Sequence, residues 1–191
     1  MSFDSFMDAY TIAMNMERQS QAPQAATRVA TDVAFCNRRG LELMDSGRYY
    51  EAVNWFDRAL RLQADNFTLW YNRGDALAHL TRYADALASF EQAIALNPAS
   101  PAAWTYQGVM LIYLTRYAEA LLCCDQAIAL NPKDLEAWTF RGVALQRLGQ
   151  YKQAYVSYNK ATQETPRSWQ QSVTQLMERL THHLRSLKFE R

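Results

Sequence analysis

Cysteine, histidine, glycine and proline are all scarce in this chain, with three, three, six and five copies in 191 residues. Three cysteines, two of them adjacent at Cys123 and Cys124, make no disulfide framework and suit a reducing compartment. So little glycine and proline, beside 49% hydrophobic residues, excludes a collagen-like or low-complexity chain and implies one ordered domain or array. No stretch sustains the roughly 18 apolar residues needed to cross a bilayer, so the chain is not expected to be integral to a membrane. Its opening M-S-F-D-S-F-M-D carries two Asp and neither Lys nor Arg, the reverse of a secretory n-region. The expected location is the cytoplasm, free or peripheral to a membrane complex through a partner. An excess of charge is missing too: the net charge of +1 offers no general pull on nucleic acid or anionic lipid.

Constellations that carry chemistry are also lacking. His182 and His183 are neighbours, so on a helix their rings point about 100° apart and cannot share a metal. No Cys flanks His79 at ligand spacing. There is no Gly-rich phosphate loop, nucleophile elbow or catalytic carboxylate pair, so neither an enzyme, nor a metal, nor a cofactor is expected.

What the chain does contain is itself, several times over. The heptapeptide Q-A-I-A-L-N-P at 92–98 recurs unchanged at 126–132, a shift of 34. At that shift Trp70, Trp104 and Trp138 fall in register, as do Gly40, Gly74, Gly108 and Gly142. So do Tyr49, Tyr83, Tyr117 and Tyr151, then Ala52, Ala86, Ala120 and Ala154, then Ala59, Ala93, Ala127 and Ala161. Pro98, Pro132 and Pro166 close three of the four units.

Within a unit the apolar spacing is helical. In the second copy Trp70, Leu77 and Leu80 share one stripe, and after L-T-R a second runs Tyr83, Leu87, Phe90, Ile94. Each unit therefore reads as a helical hairpin, with Gly74 and Ala86 removing bulk where its two helices cross and the aromatics filling what remains. A large side chain at Ala86 is expected to overpack that crossing by about 1–3 kcal/mol. Trp104→Ala is expected to cost about 3–5 kcal/mol, with the ring placed in the core. Pro98 has no N–H to donate and pushes Asn97 out of the helical region, so L-N-P ends the second helix of a hairpin. Units this small bury their apolar faces only by stacking on neighbours.

The columns W-x-x-x-G-x-x-L, Y-x-x-A-x-x-x-F/Y and A-x-x-x-x-P at this period resemble the tetratricopeptide repeat, over residues 33–168. The resemblance implies an all-α fold, a right-handed superhelix or α-solenoid of four hairpins at 33–66, 67–100, 101–134 and 135–168. Departures are Cys36 in the Trp column, Cys124 among the aromatics Phe56, Phe90 and Tyr158, and Ala64 for the closing Pro. Residues 169–191 keep a stripe of Trp169, Val173, Leu176, Leu180, Leu184 and Leu187 behind a potential N-cap at Ser168, like the capping helix that closes such arrays. At the other end, residues 1–18 read as an amphipathic helix with Phe3, Phe6, Met7, Tyr10 and Met14 on one side, joined through 19–32, a linker or helix extension. That arm either packs on the first hairpin, fills its own groove or a neighbour's, or docks into a partner.

The resemblance further implies that the first helices line a concave groove. Those helices would contribute Asn37, Leu41 and Met44; Tyr71, Asn72, Asp75 and His79; Tyr106, Val109, Ile112 and Tyr113; and Thr139, Phe140, Val143 and Arg147. Related hairpin repeats that read RNA need a basic groove, and this one is mostly neutral or apolar, so nucleic acid is not expected. The clamp of Lys, Asn, Asn, Lys and Arg with which tetratricopeptide co-chaperones grip a chaperone's C-terminal carboxylate reads here Asn37, Leu41, Asn72, Ala102 and Tyr106, without a cation. The expected function is a non-enzymatic adaptor or assembly factor, of bacterial style, holding an amphipathic helix or extended apolar peptide of another protein. On that reading Tyr106→Ala with Tyr113→Ala abolishes capture and leaves the melting midpoint nearly unchanged. The rival expectation is a self-associating subunit, a homo-oligomer joined through its N-terminal helix.

Overall fold

The computed structural model of the chain describes residues 27–162, which form eight helices and no strand. Helix α1 spans 27–45 and is followed by α2 (Tyr49–Leu62), α3 (Phe67–His79), α4 (Tyr83–Leu96), α5 (Pro101–Tyr113), α6 (Tyr117–Leu130), α7 (Leu135–Arg147) and α8 (Tyr151–Thr162). Residues 27–32 thus belong to α1. The N-terminal arm and the C-terminal capping helix lie outside the described residues.

Local chemistry sets these boundaries. Asn66, Ser100 and Asp134 precede the first helices of hairpins two to four, and each side-chain oxygen accepts from the backbone N–H three residues on, at 3.3, 3.3 and 3.0 Å. Each cap satisfies one of the N–H groups a helix start leaves unpaired. The second helices begin differently. Arg48, Arg82 and Arg116 offer no side-chain cap. Their guanidinium groups instead bond Glu51, Asp85 and Glu119, holding a carboxylate in the first turn beside the positive end of the helix.

The turn inside each hairpin is a left-handed stop. Gly47, Thr81, Thr115 and Gly149 occupy it with φ of 72°, 59°, 62° and 77°. The next residue's N–H then reaches back to the helix, as Arg82 does to the Leu77 carbonyl at 3.0 Å and Arg116 to Leu111 at 2.8 Å.

Glycine and alanine let the two helices of a hairpin approach closely. A Cβ on Gly40 or Gly142 would stand 2.5 Å from the ring of Phe56 or Tyr158, and one on Gly74 would stand 3.0 Å from Phe90. Opposite Gly108 the aromatic is replaced by Cys124, whose sulfur would lie 3.1 Å away. Phe56, Phe90 and Cys124 are fully buried, together with Ala52, Ala86 and Ala120, so the core runs through the stack rather than closing within any hairpin.

The tryptophan column departs from expectation. Trp70, Trp104 and Trp138 are half-buried, and each indole N–H donates to a loop carbonyl six residues back, Ala64, Pro98 or Pro132, at 2.8, 2.9 and 3.0 Å. The polar tip draws each ring to the surface, where it fastens the preceding loop to the next hairpin. Cys36, which has no such donor, is buried in that column.

Polar braces join successive hairpins. Arg73 on α3 donates to Asp57 of α2 and to Ser89 of α4, both at 2.6 Å, and Arg141 on α7 repeats this with Asp125 of α6 and Ser157 of α8 at 2.6 and 2.8 Å. Ser89 and Ser157 are fully buried, and each passes its own proton to a carbonyl one turn back, so neither hydroxyl is orphaned. In the third hairpin Gln107 and Cys123 stand at the corresponding positions, linked by a long thiol contact of 3.5 Å.

Candidate functional site

From α2 onward the helices in substantial contact are neighbours in sequence, with one addition: α5 also touches α7. First helices therefore meet one another across hairpins, α5 and α7 here and α3 and α5 through Tyr71 and Tyr106. The face along which they meet carries the candidate site.

Aromatic rings connect the helices along this face. Tyr71 on α3 meets Tyr106 on α5 edge to face, with centroids 5.9 Å apart, and both rings contact Phe90 of α4, at 5.6 and 5.9 Å. Toward the hairpin turns a second series links α2 to α3 and α4 to α5. There Tyr49 stacks on His79 at 4.4 Å, and Tyr83 stacks on Tyr113 at 4.3 Å, nearly parallel in both cases. The sequence columns gave no cue to these pairs, because each joins residues 30 apart rather than one repeat apart.

The expected lining residues divide into three groups. Leu41, His79 and Arg147 are exposed, while Met44, Tyr71, Asp75, Tyr106, Ile112, Tyr113, Thr139 and Phe140 are half-buried, so part of each ring or chain is open to solvent. Asn37 and Asn72 are half-buried and bonded to each other at 3.0 Å, tying α1 to α3. Val109 and Val143 are buried, at 8% and 3% exposure, and are corrected from lining to core. Each follows a Gly of the crossing column, Gly108 or Gly142, so its helix is pressed hard against the stack at that point. The arm residues Phe3, Phe6, Met7, Tyr10 and Met14 lie outside the described residues.

The expectation that Tyr106 and Tyr113 could be removed without touching stability is also corrected, because both rings are shared between groove and core packing.

Charge is the feature that residue-type reading missed. Burial raises the hydroxyl pKa of Tyr71 and Tyr106; the neighbouring Tyr106 phenol adds most to the further rise at Tyr71, and the carboxylates of Asp75 and Glu136 push both up, joined at Tyr106 by Asp134. Both phenols are held neutral and remain hydrogen-bonding groups. Asp75 is itself raised by burial, partly offset by His79, whose Nε2 lies 3.7 Å away. The missed signal was positional: Asp75 is one turn beyond Tyr71, and Glu136 is one turn before Phe140, so both carboxylates share the faces of their aromatic neighbours. Among the described residues no three His, Cys, Asp or Glu gather as a metal site would need, and no helix is long and apolar enough to cross a membrane.

Profiles of the tetratricopeptide repeat match residues 37–101, 101–134 and 123–155. Comparison with curated proteins finds no match. Among solved structures the chain is similar to MamA from Desulfovibrio magneticus RS-1, at 24% identity over 67% of this chain and 72% of that one, with a TM-score of 0.64. It is similar to the first TPR of Spaghetti (RPAP3) bound to the HSP90 peptide SRMEEVD, at 24% identity over 62% and 94% of the two chains, TM-score 0.61. A third is YrrB, a TPR protein with an unusual peptide-binding site, at 24% identity over 69% and 68%, TM-score 0.61. At such identities the likeness is one of fold.

Proposed function

Because the chain belongs to the tetratricopeptide repeat family, we propose that it is a non-enzymatic interaction scaffold holding an amphipathic helix or extended apolar peptide of another protein along its concave face. The observation that carries this reading is the row of half-buried apolar side chains on that face, Tyr71, Tyr106, Ile112, Tyr113 and Phe140, contributed by three consecutive hairpins. A partly exposed aromatic strip offers apolar area and rigid rings, the two features that binding hot spots favour. Two chains of similar fold are described as peptide binders, which supports the same use here. On the same reading the chain acts as an adaptor in assembling a larger complex.

Photo-cross-linking tests the reading, with a photoreactive residue placed in turn on each helix and the purified complex irradiated. Partner peptides should be joined to residues of α3, α5 and α7. Cross-links confined to the opposite face, around Leu122 and Val156, would move the interface to the second helices and overturn it. Leu41→Glu should weaken partner retention, whereas Leu122→Glu, at a more exposed position, should leave it unchanged.

A further inference from the structure

On the basis of that groove reading, we infer that the groove is selective for a cationic partner: a peptide whose apolar side chains rest on Tyr71 and Tyr106 while its Lys or Arg side chains meet Asp75 and Glu136. The aromatic strip alone would accept an apolar segment of any charge. What discriminates is how charge is distributed around it.

The central helix α5, P-A-A-W-T-Y-Q-G-V-M-L-I-Y, has no charged residue. Tyr106 therefore takes its electrostatic surroundings from the helices on either side, and both supply carboxylates: Asp75 from α3, with 41% of its side chain exposed, and Glu136, an exposed residue in the first turn of α7. Asp134 is already used as an N-cap and as acceptor of the Thr105 hydroxyl. The cations of the same helices are engaged elsewhere. Arg73 and Arg141 are held by Asp57 and Asp125 and stack over Trp70 and Trp138, at 5.7 Å in both cases. Arg147 is exposed at the far end of α7, about 16 Å along the axis from Glu136. His79 stands beside Asp75, half its side chain in solvent and its ring stacked on Tyr49.

The middle of the groove thus presents two accessible carboxylates around neutral phenol rings, whose faces attract cations in their own right. A partner bearing Lys or Arg between its apolar anchors is complementary to it; an acidic partner meets like charge. The chain's own N-terminal segment, with Asp4, Asp8 and Glu17 against the single Arg18, is the wrong sign for this site.

Two labelled probes decide the matter on the full chain by fluorescence anisotropy: an amphipathic helical peptide of Leu, Ala and Lys, and the same peptide with Glu at every Lys. Exposed charge pairs are individually weak, but replacing attraction by repulsion at two sites adds, so the Lys peptide should bind about tenfold tighter at low salt. The preference should shrink as ionic strength rises and collapse in Asp75→Asn/Glu136→Gln, a variant whose melting curve should overlay the parent. Equal binding of both peptides, or a preference that survives the double substitution, overturns the charge selectivity while leaving the groove reading intact. Binding that appears only after residues 1–22 are deleted would mean the acidic segment occupies the groove, and also overturns it. Failure of both peptides to bind in either form would remove the groove reading itself.

Discussion

Tyr71 and Tyr106 meet edge to face, with ring planes inclined by 85° and centroids 5.9 Å apart, and Phe90 completes the cluster from α4. The three rings belong to three helices of two hairpins, so they weld the stack, and on the proposed reading the two tyrosines also line its groove. Tyr106→Ala should therefore destabilise the protein by about 2–3 kcal/mol in urea unfolding, from lost apolar area and two aromatic contacts. Tyr106→Phe should change stability by less than about 1 kcal/mol, since the ring stays and only the hydroxyl goes. An unaltered unfolding midpoint for the alanine variant would show that the ring serves the groove alone.

The Gly142–Tyr158 crossing tests how tightly a hairpin is drawn together. A Cβ at Gly142 would lie 2.5 Å from the Tyr158 ring, which is 5% exposed and fixed at its far end by a 2.8 Å bond from its hydroxyl to Gln146. Gly142→Ala should cost about 1–3 kcal/mol by overpacking. Combined with Tyr158→Leu, the loss should be smaller than the sum of the two single losses, because the smaller side chain vacates the clash. Additive losses in this cycle would show that the ring moves aside at no cost.

Much of this architecture is legible in the columns of the sequence. The Gly and Ala columns mark the crossings, and the Asn-Pro pairs mark the ends of α4 and α6, because each depends on a property of one residue type at one place. Features set by an angular offset between repeats are not legible. Trp104 looks like core by its spacing, yet its N–H seeks the Pro98 carbonyl and the ring stays partly exposed, so Trp104→Ala costs less than full burial would imply. Val109 and Val143 share a helical face with the groove tyrosines by periodicity, but the tight glycine contact beside each turns it inward. Asp75 is among the expected lining residues, but Glu136 and Asp134 escape notice because overall charge near zero conceals a local excess of one sign around Tyr106. One cue was visible and unread: Thr81 and Thr115 stand in the same column as Gly47 and Gly149.

That column supports a prediction of opposite sign from most. Thr81 and Thr115 hold φ of 59° and 62°, a left-handed conformation that β-branched side chains rarely adopt and that costs non-glycine residues roughly 1–2 kcal/mol. A Cβ at Gly47 or Gly149 meets nothing within 4 Å, so crowding is not what excludes side chains from these turns. Thr81→Gly and Thr115→Gly should each raise stability by about 1 kcal/mol, and jointly by nearly the sum, since they lie in separate turns. A lower urea midpoint for either variant would show that the threonine side chain stabilises its turn.

The last prediction concerns alkaline pH. Burial pushes the Cys123 thiol up to about 11 and the Cys124 thiol up to about 12, from an ordinary 9.0, and pushes Tyr158 up to about 12 from 10.0. Tyr71, Tyr83, Tyr106 and Tyr113 move in the same direction, mainly through burial. Each of these groups loses its proton more readily in the unfolded chain than in the fold, so above the unfolded values the unfolded state binds fewer protons and stability falls with rising pH. Their stabilising contribution is complete below the unfolded value of 9.0 and is lost progressively as pH climbs through the raised values of about 11 to 12. Urea midpoints should therefore decline across that window, and Cys124→Ala should flatten the part of the decline that begins near 9.0. At neutral pH Cys123 and Cys124 should not react with a thiol-specific disulfide reagent until the chain is unfolded, since the nucleophile is the thiolate and both sulfurs are buried. Prompt labelling of either one in the native protein would show that the α5–α6 hairpin opens far more readily than its packing implies.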